Sequence, residues 1–183
     1  MKATNDGSLA TIPDCKIIIP GAGTIMLNNL PSISDSKTAI YNNEAIIGRS
    51  FPLYTYSHSG DRAISMQLHF FIVDQYDANK NLTYLRWIQS AVYPREGSNG
   101  APFTPPPVCQ ITCGSLLAGN PSSGGSAQPL CCVLQSYNVK FPEEVAWHGN
   151  TFCPFRFDVD TSWLVVYTSD DLPFQSRIVS SGR

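Results

Sequence analysis

Apolar and polar side chains alternate without a break over residues 64–70. Ile64, Met66, Leu68 and Phe70 fall on one side of an extended chain, and Ser65, Gln67 and His69 on the other. The pattern predicts a strand with one buried face. Ser59-Gly60-Asp61 ahead of it is turn chemistry, so Ser57-His58 reads as part of a polar turn leading into that strand. Over 131–141, Val133, Tyr137, Val139 and Phe141 share a face opposed by Ser136, Asn138 and Lys140. Phe155, Phe157 and Val159 likewise alternate with Arg156, Asp158 and Asp160. Shorter apolar runs at 16–19, closed by Pro20-Gly21, at 108–113 and at 163–167 add further strands. Residues 41–50 are an irregular strand candidate, and 28–38, rich in Asn, Ser and Pro, read as a loop.

The period changes once. Leu82, Leu85, Ile88 and Val92 recur at three- and four-residue spacing, which predicts a helix over 79–93. Asn79 or Asn81 can cap its start, and Pro94 bars its continuation. The order of elements predicts a mainly β chain with one helix, an α+β fold. An antiparallel barrel or sandwich flanked by that helix would bury the one-sided strands. Residues 1–16 read as an N-terminal arm, 17–167 as the domain, 114–130 as a Gly/Ser-rich hairpin tip, and 168–183 as a C-terminal tail.

Composition changes this picture in one respect. Hydrophobic residues make up 43% of the 183-residue chain, yet charged residues only 14%, against about 25% in an average soluble domain. A free monomer keeps itself soluble with interspersed charge, so partners are expected to cover much of this surface. The net charge of -2 excludes the basic surplus of a usual nucleic-acid binder. The hydrophobic content excludes a disordered chain. No apolar run approaches the roughly 20 residues of a membrane helix, so no membrane insertion is expected. Met1-Lys2-Ala3-Thr4-Asn5-Asp6 lacks the apolar centre of a signal peptide, which points to synthesis in a cytoplasm.

Candidate chemistry is sparse. Ser57, His58 and Asp61 lie within five residues, but a catalytic triad is assembled by the fold and not by adjacency. A hydrolase centred on His58 and Asp61 also lacks a nucleophile motif, and no catalytic residue is expected. The three histidines, His58, His69 and His148, show no metal-ligand spacing. Pro20-Gly21-Ala22-Gly23 lacks the third glycine of a dinucleotide fingerprint. Asn81-Leu82-Thr83 is a formal glycosylation sequon inside the expected helix.

The six cysteines leave three readings open. On a strand, Cys109 and Cys113 share a face roughly 13 Å apart, too far for one metal. A hairpin of 108–113 with 131–141 would bring Cys113 near Cys131 and Cys132. Cys109, Cys113, Cys131, Cys132 and Cys153 are then buried free thiols, partners in a disulfide formed late, or ligands of a zinc or iron–sulfur site with a redox role, completed by Cys153 or His148.

The segment Tyr56-Ser57-His58-Ser59-Gly60-Asp61-Arg62-Ala63-Ile64-Ser65-Met66-Gln67-Leu68-His69-Phe70-Phe71 resembles the tail tube initiator, or tail-tube-like baseplate hub, proteins of contractile-tailed bacteriophages. Ser57, His58, Ser59, Gly60, Asp61 and Arg62 carry the most specific part of the likeness. Tyr84-Leu85-Arg86-Trp87-Ile88 with Tyr93-Pro94, Pro105-Pro106-Pro107-Val108, Val133-Leu134-Gln135-Ser136-Tyr137-Asn138-Val139 and Phe155-Arg156-Phe157-Asp158-Val159 extend it across roughly 50–160. The cysteines of 109–132, the 114–130 tip and the N-terminal arm depart from the family pattern. The resemblance implies a tail-tube type β-barrel or sandwich, in a structural virion protein with no cofactor. It implies a homohexameric ring in the tail baseplate, partnered by the tail tube protein, the hub and wedge proteins and the tape measure protein. DNA would pass through the lumen only in transit, and the chain would reside in the host cytoplasm before assembly into the virion.

Overall fold

The computed structural model describes residues 15–97, 102–113, 117, 129–149 and 153–166. Nine strands and one helix lie within them, in the order β1 (Cys15–Ile19), β2 (Gly23–Met26), β3 (Ser32–Glu44), β4 (Leu53–Phe71), α1 (Gln75–Ser90), β5 (Arg95–Glu96), β6 (Phe103–Thr104), β7 (Cys109–Cys113), β8 (Leu130–Lys140) and β9 (Arg156–Val165). Seven strands form one antiparallel sheet in the order β2-β1-β7-β8-β9-β4-β3, and β5 pairs with β6 apart from it. The sheet is open, with β2 and β3 at its edges, so the mainly β, antiparallel expectation holds but the barrel is not closed. The expected arm falls outside the described residues up to 14, while Cys15 and Lys16 already belong to β1. The expected C-terminal tail and most of the 114–130 tip also lie outside them. Leu117 bridges Cys113, and Leu130 opens β8.

The unbroken alternation at 64–70 becomes the buried half of β4. Ile64, Met66, Leu68 and Phe70 enter a single core with Ile17, Ile19, Ile111, Phe157, Val159 and Trp163. Trp163 is fully buried, and its indole Nε1 donates to Thr161 Oγ1 (2.8 Å), which in turn donates to the Met66 carbonyl (3.0 Å). Each buried donor in that chain is thereby satisfied. The runs expected at 155–160 and 163–167 join in one strand, β9, from Arg156 to Val165, and not two; Tyr167 lies outside the described residues.

Three expectations are corrected. Residues 28–38 are strand from Ser32 onward. β3 is an edge strand exposed on nearly all positions, so its Ser- and Asn-rich sequence has no core face to alternate against. Ser57-His58-Ser59-Gly60-Asp61 is also strand, the outer part of β4. In β8 the buried positions are Leu130, Cys132 and Leu134, with Tyr137 and Val139 half-buried. A bulge between Leu134 and Ser136 shifts the parity, so Val133 is not on the face that Tyr137 and Val139 continue.

The helix begins earlier than its apolar stripe. Asp74, and neither Asn79 nor Asn81, is the N-cap, accepting from the Asp77 amide at 2.7 Å. Asn81 is instead buried, and its Nδ2 donates to the Phe71 carbonyl at 2.8 Å, tying α1 to the end of β4. Ala78, Tyr84, Leu85 and Ile88 complete the buried stripe. Trp87 lies over β2, where a Cβ on Gly23 would meet its Cη2 at 2.5 Å and its Cζ3 at 2.8 Å. The Gly21-Ala22-Gly23 segment therefore serves a hairpin turn and a close helix approach, not a nucleotide. Among the described residues no helix is long and apolar enough to cross a membrane.

Gly23→Ala is expected to cost on the order of 2 kcal/mol by overpacking against Trp87. Urea unfolding followed by tryptophan fluorescence measures it; an unchanged midpoint would show that the helix does not press on β2.

Candidate functional site

β9 pairs with β4 only from Ala63 to Phe71. From Leu53 to Arg62, β4 pairs with β3 alone among the described residues, and the hairpin leaves the sheet as a two-stranded arm. At its root β4 carries more residues than β3. Lys37 pairs with Arg62 and Ala39 with Ser59, so Thr38 faces both Gly60 and Asp61. Ile40 pairs with His58 and Tyr41 with Tyr56, which leaves Ser57 without a partner in the ladder. Bulges bend a strand and increase its twist. The segment 57–62 is therefore the bulged root of the arm.

Gly60 is required there by space. A Cβ would sit 2.6 Å from Thr38 Oγ1, on a short branched side chain with little freedom to withdraw. Below the bulge, the Arg62 guanidinium binds Asp35 through Nε at 3.0 and 3.1 Å and through Nη2. That hydrogen bonding holds the Asp35 carboxyl below its ordinary value, against a smaller opposing effect of burial. Above it, Tyr56 stacks edge-on against Tyr41 with ring centres 5.7 Å apart, and its hydroxyl is 2.9 Å from Ser59 Oγ. Ser57 Oγ lies 3.1 Å from His58 Nδ1. Among the described residues no hydrogen bond joins His58 to Asp61, so Ser57, His58 and Asp61 do not converge as a triad.

The arm is apolar where a solvent-facing hairpin is usually polar. Ile40, Tyr41, Ile46, Ile47, Phe51, Leu53, Tyr54 and Tyr56 are all exposed. A two-stranded hairpin is at best marginally stable in water on its own, and exposed apolar patches of this kind mark interaction surfaces.

The sheet face opposite the core is polar and cupped. Ser32, Ser34, Ser65, Gln67, Ser136, Asn138, Asp160 and Ser162 line a shallow depression of about 350 Å³, with Lys140 and Asp160 paired beside it at 2.6 Å. At the far end, His69 Nδ1 lies 2.6 Å from Asp158 Oδ1. Arg156 grips the same carboxylate through Nε (3.1 Å) and Nη2 (2.9 Å). Burial alone would raise the Asp158 carboxyl, but the bonds from Arg156 and His69 outweigh it and hold the group below the ordinary range. Alternation placed His69 and Asp158 on polar faces; their direct opposition is a matter of register, which no single strand reveals.

The cysteines arrange differently from expectation. Cys113 lies opposite Cys15 on β1, not beside Cys131 and Cys132; Cys109 lies opposite Cys132. The β7–β8 ladder comprises only 109–111 against 130–132, and β1 takes the far end of β7. Cys15, Cys109, Cys113, Cys132 and Cys153 are buried, Cys131 is exposed, and all six are free thiols. Burial pushes the Cys109 thiol up to about 11 and those of Cys113 and Cys132 up to about 12. Among the described residues no group of three or more His, Cys, Asp or Glu side chains is placed to hold a metal ion.

Two predictions test this geometry. Gly60→Ala should cost on the order of 2 kcal/mol by collision with Thr38, and Thr38→Ala in the same chain should restore most of the loss; a double-mutant cycle by denaturant unfolding shows the coupling or its absence. Asp158→Asn should cost roughly 2 kcal/mol at neutral pH. Because the folded Asp158 carboxyl sits below its ordinary 3.8, its contribution is complete above that pH and is lost as pH falls through the lowered folded value. The gap between wild type and variant should therefore close in acid. A gap independent of pH would refute the role of the ionised carboxylate.

No protein-family model matches this chain, and no curated protein matches it.

Proposed function

We propose that the chain is a structural virion protein of a phage tail baseplate. In this reading six copies form a ring that joins the central hub to the tail tube and initiates tube assembly. The observation that carries the reading is the bulged, apolar arm of 39–58, standing off an open sheet. Among the described residues each feature is left without a partner. The arm exposes a hydrophobic surface that none of them covers. The sheet ends in β2 and β3, whose outer backbone groups are templates for another strand. A head-to-tail ring supplies each edge with a neighbour and closes, so no edge is left over.

The resemblance supports the same assignment. Its strongest segment, 56–71, is β4 itself, containing both the arm's root and the buried strand. Its remaining pieces fall on α1, β8, the start of β9, and the approach to β7. In the ring, the Ser-, Gln- and Asn-lined sheet face suits a wet lumen, and a chain with net charge -2 does not retain DNA passing through it. Tube, hub, wedge and tape measure proteins are the partners of this reading, with synthesis in the host cytoplasm and final residence in the virion.

Light scattering of the purified chain should give hexamers, or rings once tube or hub protein is added. Tyr54→Ser combined with Ile47→Ser should abolish assembly while moving protomer stability by less than about 1 kcal/mol, since both side chains are exposed. A wild-type chain that stays monomeric and ignores tube and hub proteins would overturn the assignment.

A further inference from the structure

Four of the six cysteines occupy directly opposed positions in one sheet. Cys15 faces Cys113 across the β1–β7 ladder, and Cys109 faces Cys132 across the β7–β8 ladder. All four are buried on the core face. β7 thus carries one cysteine turned to each neighbouring strand. Opposed residues of antiparallel strands have Cα atoms about 4.5–5.5 Å apart, within the window of about 4.4–6.8 Å that a disulfide spans.

We propose that this sheet is a two-disulfide site, with Cys15–Cys113 stapling β1 to β7 and Cys109–Cys132 stapling β7 to β8. The oxidant is a small-molecule disulfide. One cysteine loses its proton and attacks the oxidant, forming a mixed disulfide and releasing one small thiol. The opposed cysteine, deprotonated in turn, attacks the protein sulfur of that mixed disulfide. The protein S–S bond forms, the mixed S–S bond breaks, and the second small thiol leaves with a proton. Each protein bond gives up two electrons and two protons, and these reduce one oxidant disulfide to two thiols.

The placement also bears on the speed. Each pair ends its ladder, Cys15–Cys113 in β1–β7 and Cys109–Cys132 in β7–β8, where strands fray first. Burial keeps the Cys109, Cys113 and Cys132 thiols protonated at neutral pH, so both bonds form slowly while the sheet is closed and the chain stays reduced in a reducing cytoplasm. Cys131, exposed and opposite Gln110, has no protein thiol across the strand. It takes up the oxidant as a mixed disulfide and goes no further.

The test uses the full chain and a Cys131→Ser variant, which leaves the core untouched. Each is incubated with oxidised glutathione at mildly alkaline pH, alkylated after denaturation, and mapped by mass spectrometry without reduction. The expected result is two bonds in both chains, 15–113 and 109–132, and glutathione on Cys131 of the wild type alone. The melting temperature should rise by on the order of 10 °C and fall back on reduction. If Cys131 becomes glutathionylated while Cys15, Cys109, Cys113 and Cys132 are all recovered alkylated, the proposal fails. Bonds from Cys113 to Cys131 or Cys132, or from Cys131 to Cys132, would overturn it equally.

Discussion

A strand can be held on two sides, on one, or on none, and β4 passes through the first two of these conditions within its own length. Its inner half lies between β9 and β3, with Ile64, Met66, Leu68 and Phe70 in the core. Its outer half has β3 alone among the described residues. The hydrophobic burial that stabilises the inner half, roughly 1.5–3 kcal/mol for each large side chain, is missing where the chain leaves the sheet. The outer half still carries Tyr54, Tyr56 and Leu53, side chains suited to burial and left exposed. Irregularities at Gly60–Asp61 and at Ser57 break the β3–β4 register in this half, and the Asp35–Arg62 pair marks the boundary between the two regimes.

The rest of the fold is arranged around the held half of β4. β9 supplies Phe157, Val159 and Trp163 to the core, and on its other face offers Asp158 to His69 across the ladder. The helix is tied to the end of β4 through Asn81. On the far side of the sheet, β7 links the C-terminal strands to β1, with a cysteine facing each neighbour. Among the described residues buried polar groups are few; the Trp163–Thr161–Met66 chain satisfies its own, while Asp77 Oδ2 and Asn28 Oδ1 have no hydrogen-bond partner.

The sequence was legible where one face of an element is buried throughout. The strand at 64–70, the alternation at 155–160 and the helix all come from such faces. It was illegible where that condition fails. β3 has no buried face along most of its length, so its Ser and Asn residues resemble a loop. The bulge after Leu134 changes parity within β8, and a fixed period of two then misassigns Val133. Ser59-Gly60-Asp61 resembles a turn because Gly and Asp suit turns, yet Gly60 answers to Thr38 on the partner strand. The cysteine pairs and the His69–Asp158 contact depend on register between strands distant in sequence, Cys15 with Cys113 most of all.

The central claim is that the arm is a surface made for a partner. Hydrogen exchange followed by mass spectrometry tests it directly, on dilute protomer and on the assembled protein. In the protomer, amides of 39–44 and 53–58 should exchange rapidly while those of 64–71 stay protected, and assembly should slow the arm amides by orders of magnitude. An arm as protected in the dilute protomer as in the assembly, or one left unprotected by assembly, would contradict the account.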